Sequence, residues 1–329
     1  MTYSSGGLIQ ATDYNTFAGN TTAGLNQVWS TGAGDAGWGQ TSIATVAASG
    51  IVTATNWATL VNTLSTTGAQ TSTAITSRTA PVTGNVISIL ANVATDITSV
   101  TTNRANAASS GAEIGYASGT TSKTTATGSG QAAWTITFTH TVTFPTADQA
   151  RYFFNAGGRI RLQYGKSSTG TDIDPDWNTF AGLCGSIYLT GIAGSKTIAA
   201  VAYTGTTRIG GTGGTQTTLS TATGWYALTG TPATIFQLNN ASAPYTGEFI
   251  RTQASASATV LTLTTVWNQP ATATAGATVN ISGGTAPALG ATSIGAATAP
   301  TTLCTYFPPS TAQGLSNTWG TPVIAASVV

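Results

Sequence analysis

Few side chains in this chain could do chemistry, and their spacing limits what that chemistry could be. Glu113 and Glu248 are the only glutamates, so hydrolysis by paired carboxylates would have to draw on scattered aspartates such as Asp148, Asp172 and Asp176. Nothing in their spacing pairs them. His140 is the sole histidine, the group that a His-based triad or metal site would need, and its phase with Trp134 and Phe138 marks it as a packed strand histidine. Asp172-Ile173-Asp174-Pro175-Asp176-Trp177 offers alternating carboxylates to a hard cation such as calcium. It lacks the Gly and the distal Glu of an EF-hand loop, and Asp174 capping a short helix through Trp177, Phe180 and Cys184, with Pro175 in its first turn, explains the residues without a metal. Cys184 and Cys304 stand far apart, each preceded by Leu, which fits buried free thiols better than a disulfide framework or a metal site. Gly210-Gly211-Thr212-Gly213-Gly214 is followed by no Lys and reads as a flexible loop tip, not a phosphate loop. No catalytic residue, cofactor or metal is assigned, and the chain is expected to be non-enzymatic.

The basic residues are less evenly spread. Arg151, Arg159 and Arg161 fall within the block Gln149-Ala150-Arg151-Tyr152-Phe153-Phe154-Asn155-Ala156-Gly157-Gly158-Arg159-Ile160-Arg161-Leu162. This block is expected to form a hairpin: Tyr152 to Asn155 ends one strand, Ala156-Gly157-Gly158 turns at positive φ, and Arg159 to Leu162 opens the next. Arg stems lying on aromatic rings account for the charges on such a surface hairpin. The sharper expectation is that the arginines pair with carboxylates across a subunit boundary and set the register of assembly.

Composition narrows the function classes. Only 6% of the 329 residues are charged while 41% are hydrophobic, against roughly 25% charged in an ordinary soluble domain. A net charge of +1 provides no cationic footprint for nucleic acid and no field to steer charged substrates. Weakly charged, Thr- and Gly-rich surfaces lose little solvation when subunits meet, which suits a particle component. The length allows one to three domains, and no apolar run reaches membrane-spanning length. Met1 to Gly7 lack the basic and apolar regions of a secretory signal, so delivery by assembly inside a cell is expected.

The elements divide by period. One helix is expected from a Thr12 or Asp13 cap, with Tyr14, Phe17, Leu25 and Val28 on one face. A second starts at Thr53, carries Trp57, Leu60, Val61 and Leu64, and closes at Gly68. A third carries Val86, Leu90, Val93, Ile97 and Val100, spaced four, three, four and three, the seam of a short coiled coil. That seam serves either an intramolecular bundle or an assembly interface, since its outer positions are Thr, Ser, Ala and Asn instead of Lys and Glu. Ala11-Thr12-Asp13-Tyr14-Asn15, Gly37-Trp38-Gly39-Gln40 and Ile51-Val52-Thr53-Ala54-Thr55-Asn56-Trp57 with Leu60, together with the Phe-Asn-Gly-Gly block, resemble virion structural proteins of tailed bacteriophages, especially contractile-tailed phages of cyanobacteria and other aquatic bacteria. The likeness covers about the first half of the chain and also implies a short Trp-bearing helix near Trp177.

From Ala132 the period becomes two. Trp134, Ile136, Phe138, His140, Val142 and Phe144 alternate with threonines, a half-buried strand ended by Pro145. Further strands are expected at 160–164, 198–203, 234–238, 247–254 and 259–267. The expected fold is α+β: an N-terminal helical bundle or hairpin (1–122), a linker (123–130) and an antiparallel, jelly-roll-like β-sandwich (131–329). Val323 to Val329 reads as a last strand or one donated to a neighbour. The resemblance implies a non-enzymatic component of a tail fibre, baseplate or neck fibre, made in the host cytoplasm and residing in the virion. Its expected partners are other tail or neck proteins and further copies of itself, a trimer first, with the helical seam and the three arginines as contacts. The other reading is a glycan-binding receptor module or glycan-cleaving tail enzyme, in which Trp225, Tyr226, Tyr245 and Trp267 stack on host-surface sugars.

Overall fold

The computed structural model describes residues 10–21, 23–84, 92–107, 116–122, 134–167, 173–198, 200–213, 216–240, 247–270, 280–281, 284–285 and 300–329. It combines helices with antiparallel sheets. Val86, Leu90, Glu113, Asp172, Tyr245, the expected linker 123–130 and the side chains of Asp174 and Asp176 lie outside the described residues.

Helix α1 (Ala11–Ala18) follows Gln10, which makes no side-chain cap, and a separate short helix α2 spans Asn26–Trp29. The single capped first helix expected from sequence is therefore two pieces. The chain turns after Gly19, and Leu25 N–H donates back to the Phe17 carbonyl at 2.8 Å. Leu25 joins Tyr14 and Phe17 in one core, while Val28 belongs to another. Helix α3 (Ala54–Thr71) starts where expected, in a capping box where Asn56 N–H donates to Thr53 Oγ1 and Thr53 N–H to Asn56 Oδ1. It runs three residues past Gly68 and ends at Ser72 in left-handed conformation. Helix α4 (Val93–Thr102) buries Val93, Ile97 and Val100 completely, against Tyr14, Trp57, Leu60 and Leu64. The described part of the seam is thus covered by the chain's own helices. An ion pair between Arg78 and Asp96 at 2.5 Å, both side chains under a tenth exposed, ties the segment after α3 to α4.

The remaining elements are β1 (Tyr116–Ser122), β2 (Trp134–Thr143), α5 (Ala147–Asn155), β3 (Arg159–Gly165), α6 (Ile173–Cys184), β4 (Ser186–Leu189), β5 (Lys196–Ile198), β6 (Val201–Tyr203), β7 (Thr206–Ile209), β8 (Gln216–Leu219), β9 (Ala233–Asn239), β10 (Phe249–Ala256), β11 (Val260–Gln269), β12 (Asn280–Ile281), β13 (Gly284–Thr285), β14 (Thr301–Phe307) and β15 (Val323–Val328). One sheet has the order β1-β14-β3-β4-β7 and another β15-β2-β11-β10-β9-β8. The alternation in β2 acts as the sequence suggests: Ile136, Phe138, His140 and Val142 are buried while threonines line the other face. Opposite them on β11, Leu261, Leu263 and Trp267 are buried on the same side. The inward residues of both sheets, with Ala150, Phe153 and Phe154 of α5 and Trp177 and Phe180 of α6, form one continuous core.

Three further expectations are corrected. The aromatic block is no hairpin: Tyr152 to Asn155 are the last turn of α5, which Thr146 caps by accepting from Gln149 N–H at 3.1 Å. Thr146-x-x-Gln149 is the start signal of a helix, and Gly157, at φ +107°, turns that helix into β3. The single strand expected over 198–203 is the pair β5 and β6, reversed near Ala200 at φ +64°. The boundary at 122 assigns β1 to the helical part, but β1 pairs with β14 at the edge of the five-stranded sheet. Trp38 likewise joins the core of the sheets.

The helices are fastened to the sheets by polar contacts as well. Gln70 of α3 donates to the Ala156 carbonyl at 2.8 Å, and Lys196 donates to the Thr71 carbonyl at 2.6 Å, a cation placed at a helix C-terminus. Gln40 donates to the Ser316 carbonyl at 3.0 Å and accepts from its N–H at 2.8 Å.

Candidate functional site

The end of α5 organises a cleft. Asn155 is 3% exposed, and its carboxamide nitrogen donates to the carbonyls of Asp35 (2.7 Å) and Gly37 (3.0 Å). Its carboxamide oxygen accepts from the Tyr226 hydroxyl at 2.7 Å. This buried side chain thus holds the Gly-rich connector 32–39 on one side and the short 3-10 turn Trp225–Ala227 on the other. Arg151, one turn earlier, clasps the same connector: Nη1 donates to the carbonyls of Thr31, Gly34 and Ala36, and Nη2 to Asp148 Oδ1 at 2.9 Å. Gly39, at φ +69°, lies so close beneath the Tyr152 ring that a Cβ there would meet ring carbon at 2.4 Å. Only glycine fits that contact without displacing the ring.

Between connector and turn lies a cleft of about 350 Å³, lined among others by Asp35, Arg104, Asn155, Ile192, Trp225 and Tyr226. Trp225 stacks on Phe154, and its backbone N–H donates to the Thr190 carbonyl at 3.0 Å. Tyr226 is 39% exposed, but its hydroxyl turns inward. Burial of that hydroxyl, and then the nearby Asp35 carboxylate, push its pKa well above the usual phenol value, so it remains a donor to Asn155. The Asp35 carboxylate makes no ion pair or hydrogen bond with the described residues. Arg104 uses Nη1 on the Thr101 carbonyl at 2.9 Å, which leaves further N–H groups for a ligand. Asp35 is the single carboxylate among the lining residues, whereas two-carboxylate hydrolysis needs a partner acid at a set distance.

The residues singled out from sequence are dispersed. Arg151 faces the connector. Arg159 is buried with its guanidinium 4.8 Å over the Tyr203 ring. Arg161 lies 4.7 Å over Phe307 and donates to Thr305 Oγ1 at 3.2 Å. Each of the three therefore engages its own chain. His140 is fully buried between Leu263 and Ala326 in the ladder, among the core residues of β2. Both cysteines are free and buried, and burial pushes the Cys184 thiol up strongly and the Cys304 thiol up to about 12. Trp267 is fully buried against Phe138 and Trp177 and cannot meet a sugar, whereas Trp225 and Tyr226 line the cleft. Among the described residues no three His, Cys, Asp or Glu side chains cluster as metal ligands. No described helix is long and apolar enough to cross a membrane.

Sequence reasoning singled out Trp225, Tyr226 and the block that holds Asn155 but missed Asp35 and Arg104; the cleft residues come together from four distant stretches of chain. The one local signal was a lone acid among glycines in Gly32 to Gly39. No known family model matches the chain, and no curated protein or solved structure matches it significantly.

Proposed function

We propose that this chain is a non-enzymatic structural component of a tailed-phage virion, in a tail fibre, baseplate or neck fibre. In this reading the helices anchor the subunit, and the two sheets form a jelly-roll-like β-sandwich that makes contacts with neighbouring proteins. One observation carries the reading beyond composition. The segments that bear the sequence resemblance, distant along the chain, meet in space: Gly37 and Gly39 of one pack under Asn155 and Tyr152 of the other. A motif spread over both segments is then one structural unit. The low charge, 6% of residues, fits a surface that is covered on assembly. Exposed apolar side chains such as Ile51 and Val323 supply contacts for further copies, a trimer first.

The test has two arms. Light scattering of the purified chain is expected to give three times the 32.9 kDa chain mass. Antibodies against the chain are expected to label the tails or necks of tailed particles released from infected aquatic bacteria. A monomer whose antibodies detect it only in the soluble fraction of such lysates would overturn the proposal.

A further inference from the structure

We infer that the cleft between Asp35, Arg104, Trp225 and Tyr226 is a binding site for a neutral saccharide, one or two pyranose rings in size. The inference stands on the cleft alone and does not depend on the virion reading. The volume of about 350 Å³ lies at the small end of ligand pockets, which run from about 300 to 1,000 Å³. Its lining combines what a ring rich in both C–H and hydroxyl groups requires. Phe154 occupies one face of Trp225, at a centroid distance of 4.6 Å and 15° from parallel, so a ligand meets the opposite face or the indole edge. Such an aromatic surface matches the apolar face of a pyranose. Asp35 offers an acceptor that no described residue uses, and Arg104 offers donors, so adjacent hydroxyls of one ring can donate to the first and accept from the second.

The electrostatics point the same way. One carboxylate and one guanidinium leave the cleft without net charge, which gives an anionic or cationic ligand no net attraction. The walls are also set before any ligand arrives. The backbone of Asp35 is held by Asn155 and Tyr226, Trp225 is held by Thr190 and Phe154, and the small residues Gly191 and Gly224 let these loops approach. A pre-organised site loses little entropy on binding. Asn155 uses both amide hydrogens on the connector and its oxygen on the Tyr226 hydroxyl, so its main part is to position Asp35 and Tyr226.

The test uses the full chain and a panel of glucose, galactose, mannose, N-acetylglucosamine and their homodisaccharides, read by saturation-transfer NMR and calorimetry. At least one of these sugars is expected to bind, and Asp35→Ala and Arg104→Ala are each expected to weaken it about tenfold or more. Asp35→Ala keeps the backbone carbonyl that Asn155 and Tyr226 use, so its melting temperature is expected to match the parent. Absence of binding across the panel overturns the inference. Binding that survives both substitutions unchanged, or preferential binding of a zwitterionic amino acid such as alanine, overturns it equally.

Discussion

Trp225 lies flat on Phe154, their ring centroids 4.6 Å apart and their planes 15° from parallel. Phe154 also meets Phe144 at 5.7 Å and Phe153 at 5.1 Å, so the wall of the cleft is the outermost ring of an aromatic stack rooted in the core. Phe154→Ala is expected to cost about 3–5 kcal/mol, measured by urea denaturation. A loss below about 1 kcal/mol would mean that the stack does not transmit core stability to the cleft.

The Arg78–Asp96 pair is a rare charged contact in a chain poor in charge, and both side chains are buried. Asp96 Oδ2 also accepts from Thr76 N–H at 3.1 Å, so the carboxylate organises the loop after α3. Asp96→Ala removes the carboxylate that neutralises a buried guanidinium and is expected to cost about 3–5 kcal/mol. The paired replacement Arg78→Met with Asp96→Leu is expected to recover most of that loss in thermal unfolding, since it removes both charges together.

The capping box of α3 is exposed and local, so its effect is smaller. Thr53→Ala removes the acceptor for Asn56 N–H and is expected to cost about 1 kcal/mol, whereas Thr53→Ser is expected to stay within a few tenths of the parent. Equal losses in both variants would place the effect in the lost methyl group and not in the cap.

The buried thiols make stability depend on alkaline pH. Burial raises Cys304 from 9.0 to about 12 in the folded chain, so above pH 9 the unfolded chain releases a proton that the folded chain keeps. Stability from this group is complete below the unfolded value and falls as pH rises towards the folded one, by about 1.4 kcal/mol per pH unit. Between about pH 8 and pH 10, Cys304→Ala is expected to lose less stability than the parent in guanidinium titrations. Identical losses would show that other groups govern the alkaline limb.

What could be read in advance was local. Trp134 to Thr143 announce β2 because a half-buried strand writes its two faces as alternate residues, and Thr53 with Asn56 announces the start of α3. The aromatic block misled because Tyr152, Phe153 and Phe154 have strand propensity, while burial of the C-terminal half of a nine-residue helix on nearly all sides outweighs it. Strand β14 passed unnoticed because Thr301 to Phe307 follow a long Ala-, Thr- and Gly-rich stretch with no contrasting pattern. The cleft was the least legible feature. Asp35, Arg104, Asn155 and Trp225 share no period or motif, and only tertiary folding brings them to one place.

The place of β14 between β1 and β3 has a consequence in time. A ribosome delivers residues 116–122 and 159–165 well before 301–307, yet the two earlier strands touch only through the later one. Strand β2 likewise gains one of its two neighbours from residues 323–328. Half-built sheets with open edges must therefore persist until late in synthesis, and loop closures of this length are slow. The threonine-rich faces and scarce large apolar residues on exposed strands then serve a second purpose, keeping the unfinished chain from pairing with its neighbours before its own last strands arrive.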